Sequence, residues 1–225
     1  EIASCLVGSE MCIRDRLTSS IYFFADATIL SKAAALLGHD DEHRRYARLA
    51  ADIRDAINAR FLNRETAVYA GGSQTEMSLA LMWKVVPDDM TRRVAACLAE
   101  KVRANDWHLD VGVHGAKAIL NALSENGYAE DAYRIAVQDT YPSWGWWIVN
   151  GATTLLENWN LKATRDISDN HIMFGEIGAW PYKGLGGIFP DERQPGFRHI
   201  NLRPNFVRDL RPVSYTHLTL PTNSL

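Results

Sequence analysis

The chain has 225 residues, is 47% hydrophobic, and carries 24 basic against 27 acidic side chains, a net charge of -3. That balance leaves no basic footprint for a nucleic acid, and no apolar run is long enough to span a bilayer. Seven Trp supply material for a sizeable core, so one domain or most of one is expected.

In chain order, the first sixteen residues stand apart. Glu10 to Arg16, Glu-Met-Cys-Ile-Arg-Asp-Arg, can be encoded as GAG ATG TGT ATA AGA GAC AGG. The reverse complement of those codons reads Pro-Val-Ser-Tyr-Thr-His-Leu, which is Pro212 to Leu218 of the same chain. Two unrelated termini have no reason to be reverse complements. Residues 1–16 and 212–225 are therefore expected to be adapter-derived rather than native, which leaves 17–211 for fold reasoning. Cys5 and Cys12 fall in the foreign arm. Cys97, in the run Val-Ala-Ala-Cys-Leu-Ala, is expected to be a buried structural thiol. One thiol builds neither a disulfide framework nor a metal cluster, so no metal or cofactor is expected. The compartment stays open between periplasm, exterior and cytoplasm.

Helical periodicity then dominates. Thr18 to Leu37 repeats apolar residues at three-and-four spacing and stops at Gly38. Asp40-Asp41 opens a second helix to about Phe61, and Ser73 or Thr75 starts a short one through Trp83. Pro87-Asp88-Asp89 announces the next, through Val102. Further helices are expected over Val111–Leu123, stopping near Asn126-Gly127, over Ala129–Val137, and from Pro142 to about Thr154. The last follows Asp169-Asn170. Strand signal is nearly absent until Phe197–Leu202, which alternates and precedes Arg203-Pro204. Some eight helices on short loops suit antiparallel hairpins, stacked as a solenoid or closed as a toroid. Trp, Gly and His crowded into the loops favour the toroid, because a ring gathers its loops around one pocket.

Glu157 is the first candidate for chemistry. It is expected just past the end of the aromatic helix, where the macrodipole is unfavourable to an anion, and Leu155, Leu156 and Trp159 collar it. A carboxylate half withdrawn from water beside flat aromatic walls suits a general base acting on a sugar; a solvated acid is the ordinary alternative. His171 is expected in the first turn of the last helix, where a neutral ring donates one hydrogen bond and accepts another; a plain capping His is the commoner case. Of Trp144, Trp146 and Trp147, the first and last share a helix face and at least one is core. Trp107-His108-Leu109-Asp110 could line a pocket, with Asp110 equally good as a helix cap near Gly112. Glu176 reads as structural.

Several ordered blocks resemble one family. Tyr141-Pro-Ser-Trp-Gly145, Gly151 to Trp159, Asn170 to Gly175, Trp180-Pro-Tyr182 and Gly187 to Pro190 are similar to the signature of the inverting α-L-rhamnosidases, glycoside hydrolase family 78. Pro195-Gly196-Phe197 and Arg203-Pro204 fit the start of that family's trailing β-domain. The resemblance implies an all-α fold, a partial (α/α)6 toroid of antiparallel hairpins over 17–190. It also implies the first strand of a truncated C-terminal β-sandwich over 191–211. The implied reaction is hydrolysis of terminal α-L-rhamnosides with inversion. Glu157 would be the general base; His171 and Trp144 would bind the rhamnoside, and no nucleic acid or membrane partner is implied. The general acid would belong to a block preceding Leu17, so the chain alone is expected to be inactive. Three departures stand out: Leu156 where the family carries Trp or Tyr, Pro181 inside the last helix, and Gly184 and Gly186 in place of bulkier residues, which suggests loose packing there. Another glycosidase on the same toroid is the alternative within enzymes. A non-catalytic helical-hairpin binding module is the alternative outside them, and it predicts that Glu157 and His171 point apart.

Overall fold

The computed structural model describes residues 10–164 and 168–210. Among these described residues eight α-helices follow one another: α1 (Glu10–Leu36), α2 (Asp40–Phe61), α3 (Gln74–Met82), α4 (Thr91–Ala104), α5 (Val113–Glu125), α6 (Ala129–Ala136), α7 (Trp144–Val149) and α8 (Glu176–Trp180). The first therefore begins at Glu10, within the arm set apart above, while residues 1–9 and 211–225 lie outside the described residues. No described helix is long and apolar enough to cross a membrane.

Local chemistry explains the boundaries. α2 opens on Asp40, Asp41 and Glu42 and closes with Arg60, each sign at the helix end that favours it. α3 starts in a capping box: the Ser73 hydroxyl accepts from the Glu76 amide at 3.2 Å, and the Glu76 carboxylate accepts from the Ser73 amide at 2.8 Å. α5 ends at Asn126 with Gly127 at φ +89°, a backbone region that costs glycine little.

Packing arranges these helices in two rows. α1 lies on α2 and α3, α3 on α4 and α5, and α5 on α6 and α8. The inner row is thus α1, α3, α5 and α8, with α2, α4 and α6 behind it. Leu79, Leu98, Ile119, Leu120, Leu123 and Ile135 fill the space between the rows, all fully buried. Side-chain bonds tie the start of α3 to the loop before α5, and that loop to the segment before α8. The loops leading into the inner helices therefore gather at one end. That is the hairpin arrangement expected from the sequence.

Four local expectations are corrected. A two-stranded hairpin, β1 (Leu62–Asn63) on β2 (Val68–Tyr69), precedes α3; its turn is held by the Asn63 side chain accepting from the amides of Glu65 and Thr66. The late strand is only Ile200–Leu202, labelled β4, and pairs antiparallel with β3 (Ile188–Pro190), inside the tail given to the helical domain. Cys97 is half-buried rather than core, its thiol 3.4 Å from the Thr66 carbonyl. Pro181 turns α8 into a π-helical turn, Pro181–Leu185, closed by the Gly186 amide on the Pro181 carbonyl at 2.8 Å. Packing there is tight, not loose: a Cβ on buried Gly184 would overlap the indole of Trp180.

Candidate active site

The aromatic helix is shorter than its composition suggests. Ser143 caps α7 by accepting from the Trp146 amide at 2.9 Å, and the helix ends at Asn150, followed by Gly151 at φ +91°. Glu157 consequently sits in the loop between α7 and α8, clear of the α7 terminus, and the macrodipole argument does not apply to it.

Backbone pairing holds that loop instead. The Glu157 amide donates to the Ser168 carbonyl at 3.0 Å, and the His171 amide to the Leu155 carbonyl at 2.8 Å. These two rungs fold the limb 155–157 against the limb 168–171. The Glu157 carboxylate accepts from the Ser168 amide through Oε2 at 3.2 Å, which turns its Oε1 toward His171 Nε2 at 3.7 Å. Both side chains are about a quarter exposed, 28% and 25%, so the pair faces solvent from a partly apolar setting. His171 also caps the 3-10 turn Ile172–Phe174, its Nδ1 accepting from the Met173 amide at 3.3 Å. A neutral imidazole accepting at Nδ1 carries its proton on Nε2, so the hydrogen is presented on the Glu157 side. Capping and site geometry are compatible readings of this residue. The non-catalytic module required the two to point apart; they face each other.

Beneath the loop lies an aromatic cluster. Trp159 stacks on Trp147 with ring centroids 4.6 Å apart and planes 25° apart, and meets Trp144 and Phe174 edge-on at 5.3 Å and 4.5 Å. Trp147 donates its indole hydrogen to the carbonyls of Asn158 and Trp159, at 3.1 Å and 3.3 Å. Leu155 and Leu156 pack half-buried against the same core. Trp144, expected to touch a sugar, is buried with its indole N–H on the Phe174 carbonyl at 3.0 Å. It supports the wall and presents no face to a ligand. Trp146 points elsewhere, edge-on to Tyr141.

The loop before α5 closes one side. Asp110 does not cap α5; Gly112 occupies that position without a side-chain bond, and the Asp110 amide donates to Gln74 instead. Glu176 is held by Asn121 at 2.8 Å and Lys183 at 2.9 Å, a structural role as expected. Gln74 carried no signal in the sequence, because its partners lie in a loop more than thirty residues on. A cleft of about 1160 Å³ lies at the other end of the inner row; it is bounded by α1, Trp83, Ser124 and Arg203 and contains none of Glu157, His171 or Trp159.

A double row of antiparallel helical hairpins whose loops gather at one end is the architecture of a partial helical toroid. Residues 11–185 match the family profile described as the bacterial alpha-L-rhamnosidase 6 hairpin glycosidase domain, and the chain belongs to that family. An alpha-L-rhamnosidase of Streptomyces avermitilis is 32% identical over 193 residues, 83% of this chain and 18% of its own length. Another, from Alteromonas sp., is 29% identical over 92% of this chain and 23% of its own. Among solved structures, an alpha-L-rhamnosidase from Dictyoglumus thermophilum superposes with a TM-score of 0.79 at 41% identity, covering 86% of this chain and 22% of that one. The Streptomyces avermitilis enzyme, solved with L-rhamnose, gives 0.77 at 30% identity, covering 85% and 19%. The chain thus spans about a fifth of the length of the curated relatives it matches.

Proposed function

We propose that this chain forms the water-activating side of a glycosidase that hydrolyses terminal α-L-rhamnosides with inversion. The observation that carries the reading is the Glu157–His171 pair. One carboxylate oxygen is engaged by the Ser168 amide, and the other turns toward an imidazole N–H across 3.7 Å, above a stacked indole floor. In that arrangement Glu157 takes a proton from water as its oxygen attacks the anomeric carbon, on the face opposite the departing aglycone. The glycosidic oxygen leaves with a proton from a second carboxyl, which inverting hydrolysis places about 6.5–9.5 Å away. That acid belongs to a part of the relatives' length that this chain does not span. His171 Nε2–H donates to a sugar hydroxyl, and Trp159 and Trp144 form the aromatic base that supports the pair from beneath.

The test is made in the full-length enzyme. Glu157→Gln keeps shape but not basicity, and turnover of an aryl α-L-rhamnoside is expected to fall about 10²–10⁴-fold, with rhamnose binding retained. His171→Ala is expected to weaken rhamnose binding first. Release of the β-anomer as initial product, followed by NMR, checks inversion. Turnover close to that of the unsubstituted enzyme in Glu157→Gln rejects the assignment.

A further inference from the structure

Resting on Glu157 as the base, we propose that Gln74 and Trp159 are positioning residues of the hydrolytic site. The loop joining α4 to α5 is fixed to a degree that chain connection does not require, since closing a loop of this length costs little. Trp107 donates its indole hydrogen to buried Asp131 at 2.8 Å, and Asp131 also takes the Arg103 guanidinium at 2.9 Å and 2.6 Å. Gln74, fully buried in the first turn of α3, spends both ends of its amide on the loop's backbone. Its Nε2 donates to the His108 carbonyl at 3.0 Å, and its Oε1 accepts from the Asp110 amide at 2.8 Å. An apolar residue would fill that place without the cost of burying an amide.

The next backbone group along shows what the fixation serves. The Val111 carbonyl accepts the indole N–H of Trp159 at 2.8 Å. Trp159 is two residues from Glu157, and its ring is already stacked on Trp147. Stacking sets the plane of the ring but leaves it able to slide; the bond to Val111 sets where in that plane it stops. Gln74 therefore determines where Val111 stands, Val111 where Trp159 stands, and Trp159 where the Glu157 backbone is held. The chain of contacts runs from the rigid start of an inner helix to the carboxylate. Neither residue needs to touch substrate.

A double-mutant cycle in the full-length enzyme tests this. Gln74→Met keeps length and removes both hydrogen bonds; Trp159→Phe keeps much of the stack and removes the N–H. Each is expected to lower kcat on an aryl α-L-rhamnoside about 10-fold, with KM changed by less than about twofold, because misplacing a reacting group by a fraction of an ångström is costly. In a Glu157→Gln background, where no base remains to be positioned, the same substitutions are expected to cost less than about twofold more. Losses that multiply equally in both backgrounds, or that appear only in KM, overturn the proposal. Should Gln74→Met fail to fold, Trp159→Phe decides alone. If Glu157→Gln by itself retains turnover, the base assignment fails, and that result is distinct from additivity.

Discussion

Trp147 is the perturbation that most directly joins the core to the site. Its ring is 2% exposed, stacks under Trp159, and meets Phe174 edge-on at 5.5 Å, while its N–H is shared by two carbonyls of the Glu157 loop. Truncating a fully buried Trp to Ala costs about 3–5 kcal/mol, the lost transfer term plus the cavity left behind. Trp147→Phe preserves a ring under Trp159 and forfeits the N–H, so its cost reduces to that of unpaired carbonyls and a small void, about 1–2 kcal/mol. The assay is denaturant unfolding of the catalytic domain in the full-length enzyme, with kcat measured on the same samples well below the transition. The Ala variant is expected to lose stability and turnover together, because the floor under Trp159 is gone. The Phe variant is expected to lose a smaller share of each. A Trp147→Ala enzyme within about 1 kcal/mol of the parent and with unchanged kcat would refute the claim that this ring carries the loop.

Three further outcomes follow from single contacts. Asp131→Asn removes the charge that gathers Arg103 and Trp107 and sets an NH2 against one of those donors; discounting for the half-exposed arginine, a loss of about 1.5–3 kcal/mol is expected in denaturant unfolding. Burial pushes the Tyr69 phenol, whose hydroxyl donates to Asn58, above its ordinary value of 10.0. The folded state then holds that proton more tightly than the unfolded chain, so its contribution is intact below pH 10 and declines as pH rises above it. Unfolding measured from pH 8 to 11 should show a shallower alkaline decline in Tyr69→Phe. Gly184→Ala drives a methyl into the Trp180 ring and is expected to cost about 1–3 kcal/mol by thermal unfolding, as overpacking does.

How much of this was legible depends on where each interaction's partner lies in the chain. α2 to α6 could be read because their cues are local: apolar spacing, and punctuation at Gly38, Pro87-Asp88-Asp89 and Asn126-Gly127. α7 was overextended because Ile148-Val149 continue an apolar run, and only the backbone at Asn150 and Gly151 shows the turn. β1 and β2 escaped notice because two residues a strand carry no alternation, and the Asn63 side chain holds their turn. At the site, Glu157 and His171 were visible through ordered motif blocks. Their pairing was not, since the rungs 157 to 168 and 155 to 171 depend on how a polar loop folds back. The role of Gln74 was invisible, because a buried amide is recognised only by what it meets.

The last expectation concerns α1, whose apolar residues lie on more than one side of the helix, Leu17 and Ile21 buried while Phe23 and Leu30 are exposed. A helix of that kind is covered on more than one face. Here Leu17, Ile21 and Ala25 are buried toward its neighbours, yet Phe23, Leu30 and Leu37 form a stripe at seven-residue spacing, each about half exposed or more, with Leu36 88% exposed beside them. Nothing among the described residues covers that stripe except near its end, where Lys32 pairs with Glu192 at 2.8 Å. Contiguous apolar surface of this kind drives association in water. Residues 17–211 expressed alone are therefore expected to self-associate, giving species larger than a monomer in sedimentation velocity. Phe23→Glu with Leu30→Glu should shift the distribution toward monomer, because a charge on the stripe must be desolvated in any contact. A sharp monomeric boundary with a cooperative melt in the unsubstituted fragment would show that the exposed face is satisfied by water.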